Sequence, residues 1–433
     1  MLAHPAPKLS PQQQAVVDYA VEGGTHIFLT GRAGTGKTTV TRALLQRLGP
    51  KAAVLAPTGV AAMNAGGQTL HSFFRLPPRL ITPGDVRRLR TARTVKALST
   101  LVIDEISMVR SDMMQAVDAS LRLNRDSSEP FGGVRLVLVG DLAQLPPIAQ
   151  GEEGAFLEEV YGGPFFFHAP AFRDAGFTMV ELQTVHRQAD PDFVEVLNAV
   201  REGALDRELT ERLNARVTGR RGLEASATHV VLTATNQAAS AINQARLDGL
   251  VGEPRGFAGK VEGEFDPRLF PTEDPLILKT GARVMMIRND PGGRYVNGSI
   301  GEVLGFTGDG VKVQVNGETV TVEKVSWERM RYASDAKTGK LKRETIGSYA
   351  QYPLRLAWAM TIHKAQGLTL DKVYLDVSRR LFAHGQAYVA LSRARSLEGL
   401  ELSHALRPTD IITDERLFEV TSFCDPAPPG FEG

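Results

Sequence analysis

Gly31-Arg32-Ala33-Gly34-Thr35-Gly36-Lys37-Thr38 decides how this chain is read. The octet fits the phosphate-binding loop pattern G-x-x-x-x-G-K-S/T. The apolar run His26-Ile27-Phe28-Leu29-Thr30 precedes it as a buried strand, and a helical pattern from Val40 to Leu48 follows. Glycines let successive backbone N–H groups close around a phosphate chain, and the helix N-terminus adds the positive end of its dipole. Gly34, Thr35 and Gly36 form the cradle, with Thr39 just beyond it. Lys37 reaches the β- and γ-phosphates, and Thr38 can hold Mg²⁺. The alternative is a bare glycine turn, and the strand before the octet argues against it.

Working outward, the first third of the chain alternates strand and helix. Strand candidates are Ile27–Thr30, Ala52–Ala56, Leu101–Ile106 and Leu136–Val139. Such alternation implies a parallel sheet covered on both faces, with ligands at the carboxyl ends of its strands. A second alternating region opens near Phe177, with strand candidates Met179–Leu182, Val230–Thr235, Val373–Val377 and Glu401–Leu406. Between them, Asn297 to Tyr352 has short β-like runs separated by the turn signals Gly308-Asp309-Gly310 and Asn316-Gly317, and Asp335 to Lys340 reads as a hairpin tip. That texture implies a small β barrel inserted in the second α/β domain. Three prolines between Leu76 and Pro83 predict a rigid surface excursion. Asp85 to Leu98 reads as a helix carrying Arg87, Arg88, Arg90, Arg93 and Lys96, either a solvated face or a DNA-backbone contact.

Composition sets bounds. A chain of 433 residues exceeds one core, so two or more domains are expected. With 42% hydrophobic and 23% charged residues it has the balance of a soluble globular protein, and no apolar stretch is long enough for a membrane span. The single cysteine, Cys424, forms no internal disulfide, and Met1 to Pro5 lacks a secretory signal, so a cytoplasmic location is expected. A net charge of +1 neither favours nor excludes a nucleic-acid partner, because a local basic groove suffices.

The chemistry lies where strands end. Leu101-Val102-Ile103-Asp104-Glu105 runs into two carboxylates. Asp104 suits a water-bridged Mg²⁺, and Glu105 suits polarisation of an attacking water. Gln144, in Gly140-Asp141-Leu142-Ala143-Gln144-Leu145-Pro146-Pro147, is placed to meet a γ-phosphate. Arg187 and Arg393 are candidate arginine fingers from the second region. Thr58, His71 and Phe73 follow the second strand, offering donors to phosphodiesters and an aromatic for base stacking, or in the case of Phe73 and Phe74 simply core packing. Leu356 to Gly367 reads as a helix capped by Gly367, presenting Thr361, His363 and Lys364. A metal role for His363 is rejected, since no Cys or second His stands at ligand spacing.

Together these segments resemble a superfamily-1 DNA helicase of the B class, in the petite-integration-frequency (PIF) family, with kin among RecD-type helicases. The matching stretches run from Leu9-Ser10-Pro11-Gln12-Gln13 to Tyr388–Arg395 and extend to about Leu406. Asp104-Glu105-Ile106-Ser107-Met108 with the following helix Asp112–Leu123 resembles a stretch peculiar to the PIF branch. The resemblance implies an α/β fold of two RecA-like P-loop NTPase lobes with parallel sheets. Lobe one would span residues 1–175, with a short wedge excursion around 75–98. Lobe two would span 176–296 and 353–420, interrupted by an SH3-like β barrel at 297–352, and residues 421–433 would form a disordered tail. It implies Gln13 as adenine reader, Gln366 and Gly367 as further nucleotide contacts, ATP and Mg²⁺ as cofactors, and 5′-to-3′ movement on single-stranded DNA. Partners implied are single-stranded DNA, single/double-strand junctions, and G-quadruplex or R-loop structures, met by a monomeric motor serving DNA replication, repair, recombination or telomere-type maintenance. The rival readings are a nucleotide kinase, a non-motor nucleic-acid-binding module with a vestigial ATP site, and a translocase that strips proteins from DNA.

Overall fold

The computed structural model describes residues 9–431, apart from 91, 150, 189, 309, 336, 339, 379, 380, 382, 429 and 430. The expected turn at 309 and part of the hairpin tip, 336 and 339, therefore lie outside the described residues. The chain divides into two compact units. The first comprises residues 1–186, 329–346 and 414–433, and the second comprises 187–328 and 347–413.

The first unit is built on a seven-stranded sheet. Its strands in chain order are β1 (His26–Gly31), β2 (Ala52–Ala56), β3 (Gln68–Thr69), β4 (Thr100–Ile103), β5 (Arg135–Val139) and β6 (Phe177–Leu182), joined by Cys424–Pro426. The spatial order is Cys424–Pro426, β6, β1, β5, β4, β2, β3, with every neighbour parallel. A strand alternates its side chains between two faces, and here both faces are buried. Ile27, Leu29, Val54, Val102, Val137 and Val139 pack with Val16, Val17, Val40 and Leu44. These last belong to helices α1 (Pro11–Glu22) and α2 (Lys37–Leu48). The intervening residues Phe28, Leu55, Leu101, Ile103, Leu136 and Leu138 enter the opposite core, with Met114, Val117 and Leu121 of helix α6 (Ser111–Arg125). Helices α3 (Gly59–Ala65), α4 (Leu70–Phe74) and α5 (Ala92–Lys96) lie between β2 and β4.

Several local expectations change. The strand near 179–182, expected to open lobe two, pairs with β1 along its full length and belongs to the first sheet. The tail expected to be disordered supplies Cys424–Pro426 as an edge strand on β6. Among the described residues of 85–98, α-helix covers only Ala92–Lys96. The reason is anchoring of the backbone before it. Leu76, Ile81 and Leu89 are buried. Ile81 N–H donates to Asp112 Oδ2 at 2.8 Å, and Leu89 N–H donates to Asn124 Oδ1 at 2.7 Å. The excursion is thus tied to α6.

The second unit has a four-stranded parallel sheet ordered β8 (Ala359–Thr361), β7 (Val230–Thr233), β9 (Val373–Leu375), β10 (Leu400–Leu402). Helix α7 (Asn236–Asp248) follows β7, and helix α8 (Gln386–Leu391) precedes β10. Both sheets have the RecA-like α/β arrangement. Ile300–Phe306, Val311–Val315 and Glu318–Val322 form an antiparallel meander, extended by Arg283–Met286 and Leu354–Leu356 from outside the expected insertion. The hairpin that joins Val325–Ser334 to Leu341–Gln351 carries residues 329–346 into the first unit. There Val54 N–H donates to Tyr332 Oη at 3.0 Å, Tyr332 N–H donates to Gln68 Oε1 at 3.2 Å, and Arg343 donates to Gly66 O at 2.9 Å.

One half-buried histidine sets a pH dependence. His26 Nδ1 accepts the Leu136 N–H at 3.0 Å, and burial holds the imidazole down at about 4 against an ordinary 6.5. The neutral ring is required, so its contribution is complete above pH 6.5 and is lost as pH falls from 6.5 toward 4. At about 1.4 kcal/mol per pH unit, this site costs about 2 kcal/mol between pH 6.5 and pH 5. Urea unfolding at pH 7 and pH 5 should show the protein losing about 2 kcal/mol more than a His26→Asn variant. Equal losses would remove His26 as the responsible group.

Candidate nucleotide site

The loops that leave β1, β2, β4 and β5 emerge at the carboxyl edge of the first sheet. After β1 the backbone takes φ +149° at Gly31, +87° at Gly34 and +85° at Gly36, the last two in the left-handed region that glycine tolerates. A Cβ on Gly36 would meet Gln13 Nε2 at 2.3 Å, so only glycine fits beneath that amide. Lys37 Nζ donates to Gly31 O at 2.6 Å and Arg32 O at 3.0 Å, which folds the loop around its own cation. Thr35 Oγ1 donates to Arg32 O at 2.9 Å, while Thr38, at the start of α2, is exposed. Thr39 is half-buried and donates its N–H to Gly36 O at 2.9 Å.

Gln13 is the third helical residue of α1, and its side chain is committed at both ends. Oε1 accepts the Ser10 N–H at 3.0 Å in a capping box, and Nε2 donates to Thr35 O at 3.0 Å. The structure therefore makes Gln13 a clamp between α1 and the phosphate loop. Sequence reasoning did not reach Gln12, whose amide accepts Gln183 N–H at 3.1 Å and donates to Glu181 O at 3.2 Å. It thereby holds the strand end that leads to His186, whose N–H donates to Gly34 O at 2.9 Å.

At the end of β4, Asp104 Oδ1 accepts the Glu105 N–H at 3.0 Å. Burial raises the Asp104 carboxyl above the usual carboxylate range, opposed by that bond and by the charges of Lys37 and Arg42. A carboxylate oxygen is the hard donor that Mg²⁺ takes. Among the described residues no cluster of three or more His, Cys, Asp or Glu could cage a metal. The residues present thus fit a cation held largely by a ligand's phosphates, with Thr38 and Asp104 as the protein's share. Glu105 sits at φ 54°, ψ 45°, a left-handed conformation that costs a non-glycine residue about 1 kcal/mol. Gln144 Nε2 donates to Asp141 Oδ2 at 3.2 Å, and Asp141 Oδ1 accepts the Ala143 N–H at 3.2 Å. Asp141, fully buried, is the residue that shapes this loop, and its signal was its place directly after the strand.

In the second unit Arg187 donates to Ser392 O and Gly367 O at 3.4 Å each, and burial lowers its guanidinium pKa, with Tyr388 opposing. Gln188 beside it donates to Ser392 O and Ala394 O at 3.1 Å. Arg393 is 1% exposed and donates to Val389 O at 2.7 Å, Leu368 O at 3.3 Å and Ser392 Oγ at 2.7 Å. The expected helix 356–367 is instead β8 followed by turns, because residues 359–361 complete the sheet beside β7. That puts Thr361 at a strand end, where Oγ1 accepts the Lys364 N–H at 3.3 Å. His363, Lys364 and Gly367 are exposed, and Gln366 is half-buried.

The expected DNA contacts of the first unit separate. Phe73 is a core residue, edge-on to Phe74 at 4.9 Å and to Tyr332 at 6.0 Å, so it offers no stacking face. Thr58 caps α3, accepting the Ala61 N–H at 3.2 Å. His71 is half-buried, and its imidazole is held below its ordinary pKa by burial and by Arg110, against Asp112. The strain at Glu105 has a stability test. Glu105→Val forces a β-branched residue into the left-handed region, so it should unfold about 1–2 kcal/mol more readily in urea than Glu105→Gly. Equal stabilities would show that the left-handed backbone is not retained in solution.

Known proteins share this arrangement. A PIF1-like helicase family model matches residues 8–211. The rat protein named ATP-dependent DNA helicase PIF1 is 36% identical over 430 residues, covering 95% of this chain and 64% of its own length. The Bdellovibrio bacteriovorus protein named ATP-dependent DNA helicase Pif1 is 35% identical over 426 residues, covering 95% of this chain and 91% of its own. The crystal structure of Bacteroides sp. Pif1 in complex with ADP-AlF4 matches with a TM-score of 0.89 at 36% identity, over 96% of this chain and 97% of that one. The same Bacteroides protein bound to ssDNA matches with a TM-score of 0.68 at 37% identity, over 96% and 97%. The chain spans a little under two thirds of the rat relative's length. Among the described residues no helix is long and apolar enough to cross a membrane. With 35% identity across nearly the whole bacterial relative, and with a P-loop that ends β1 and a carboxylate pair that ends β4, the chain belongs to the PIF1-like helicase family.

Proposed function

We propose that this protein is an ATP-dependent DNA helicase that moves 5′ to 3′ on single-stranded DNA and unwinds duplex or structured DNA. The observation that carries the reading is the carboxyl edge of the first sheet. It gathers a lysine-bearing phosphate loop, a desolvated aspartate, a strained glutamate and a buried glutamine on consecutive strand ends. The relatives' names and the Bacteroides complexes with ADP-AlF4 and ssDNA support it. A second unit with its own parallel sheet, carrying Arg187 and Arg393, speaks against a nucleotide kinase.

ATP with Mg²⁺, when bound, supplies the scissile phosphoanhydride and a Lewis acid. Lys37 would give up its loop carbonyls for phosphate oxygens, and Thr38 and Asp104 would hold the metal side. Glu105 accepts a proton from the attacking water, oriented with Gln144. Arg187 is the finger candidate nearer to hand, since its two bonds are long and neutral-acceptor. Arg393 must first leave three acceptors inside its own unit. Gln366 and Gly367 are the further nucleotide contacts in this reading. Thr58, His71, Thr361, His363 and Lys364 alternate grip on the DNA backbone, which suits a motor because such contacts ignore sequence. The protein acts as a monomer at single/double-strand junctions, G-quadruplexes or R-loops, in replication, repair, recombination or telomere-type maintenance.

Two matched duplexes, one with a 5′ single-stranded tail and one with a 3′ tail, test the reading with ATP and Mg²⁺. Only the 5′-tailed duplex should open. Opening of only the 3′-tailed duplex would reverse the polarity, and opening of neither, with DNA-stimulated ATP turnover, would mark a translocase. Lys37→Ala should abolish ATP turnover. Glu105→Gln should bind ATP normally and turn it over at least about a hundredfold more slowly. Normal turnover in either would remove that residue from the site.

A further inference from the structure

The opposite edge of the same sheet carries a basic cleft that the hydrolytic reading leaves unused. It measures about 390 Å³ and is lined by Lys51, Lys96, Ser99, Arg125 and Lys340. It runs on past Lys96 and Arg125 into a second hollow of about 370 Å³, which holds one carboxylate, Glu129. Lys51 and Ser99 immediately precede β2 and β4, so the cleft lies at the amino ends of these strands. The phosphate loop lies at the carboxyl ends. Strands of four and five residues separate the two edges by about 15 Å.

The cations here are poorly neutralised. Lys51 and Lys340 are exposed, and among the described residues neither has an ion-pair partner. Lys96 shares Asp126 with Arg88, at 2.9 and 2.6 Å, so that triad keeps a net positive charge. Arg125 is fixed by carbonyls, donating to Gly132 O at 2.6 Å and to Val95 O and Leu98 O at 2.8 Å. Those bonds aim its charge without cancelling it. Arg93, exposed and one turn before Lys96 on α5, extends the same positive surface. Lys340 is delivered by the hairpin that Tyr332 and Arg343 bind to this unit. Asp126 and Glu129 offset only part of this charge, and an open, elongated row with a cationic excess matches a polyanionic backbone better than a single enclosed phosphate.

We infer that this cleft binds the phosphodiester backbone of a nucleic-acid strand, at a second site remote from the nucleotide edge. The choice of DNA as polymer rests on the proposed function. The strand is either the displaced arm or the duplex at a fork, which share this chemistry.

The test is the double variant Lys51→Glu/Lys340→Glu of the full chain, titrated with fluorescent forked DNA, the same junction lacking its displaced arm, and a plain oligo-dT strand. Two lost phosphate contacts should lower fork affinity about tenfold and reduce the slope of log affinity against log salt by about two. Affinity for oligo-dT and oligo-dT-stimulated ATP turnover should stay at wild-type levels, which also certifies folding. Loss confined to the armed fork assigns the displaced strand, and loss on both junctions assigns the duplex; either supports the site. Unchanged fork affinity and salt slope overturn it. If wild-type protein shows no DNA-stimulated turnover, the proposed function fails, while the fork titration still decides the cleft.

Discussion

Burial of both faces of one parallel sheet is the constraint on which the first unit depends. Parallel strands cannot be joined by tight hairpins, so each connection must cross back over a face before the next strand begins. Every strand then ends on the same edge. Residues 31–38, 57–59, 104–108 and 140–147, far apart in sequence, become neighbours at that edge for this reason alone. The alternation of Ile27 and Leu29 against Phe28, and of Val102 against Leu101 and Ile103, shows both faces filled. A one-residue slip in any of these strands would exchange the two cores and turn its terminal loop away.

Polar anchors refine what burial begins. Asp112 is fully buried, held by Arg110 at 2.7 Å and by the Ile81 N–H, while Arg110 also reaches Glu153 at 3.0 Å. An ion pair of this kind costs desolvation and is retained where it fixes a geometry. Here it fixes the proline-bearing excursion against α6, the helix that follows the Asp-Glu-Ile-Ser-Met stretch. Gln13 and Gln12 act similarly at the phosphate loop, where neutral amides bridge elements without adding charge beside a phosphate site. The strain at Glu105 belongs to the same economy. The left-handed turn at Glu105 directly follows β4, and the surrounding packing supplies the energy that the backbone forgoes.

Where local reading failed, long-range pairing decided the outcome. Residues 356–367 carry a helical pattern, yet Ala359–Thr361 is drawn into the sheet by β7. Residues 177–182 open the second alternating region in a local reading, but they pair with β1 along its whole length. The Pro-rich tail has little propensity of its own, and Cys424–Pro426 is ordered only because β6 would otherwise be an open edge. The chain around Arg87 and Arg90 is held out of a helix by side chains of α6.

The sequence by itself determined the phosphate loop, the carboxylate pair, Gln144, the two alternating α/β regions and the β-rich segment between them. Each is a local pattern whose physics, glycine geometry or apolar periodicity, is complete within about ten residues. Only the tertiary structure decided that Phe73 is core, that Gln13 clamps the loop, that Arg393 is buried, and that a hairpin from the inserted segment completes the first unit. It also decided that Lys51, Lys96, Arg125 and Lys340 share one cleft. Those outcomes depend on which distant surface reaches a side chain first, and no local pattern carries that information.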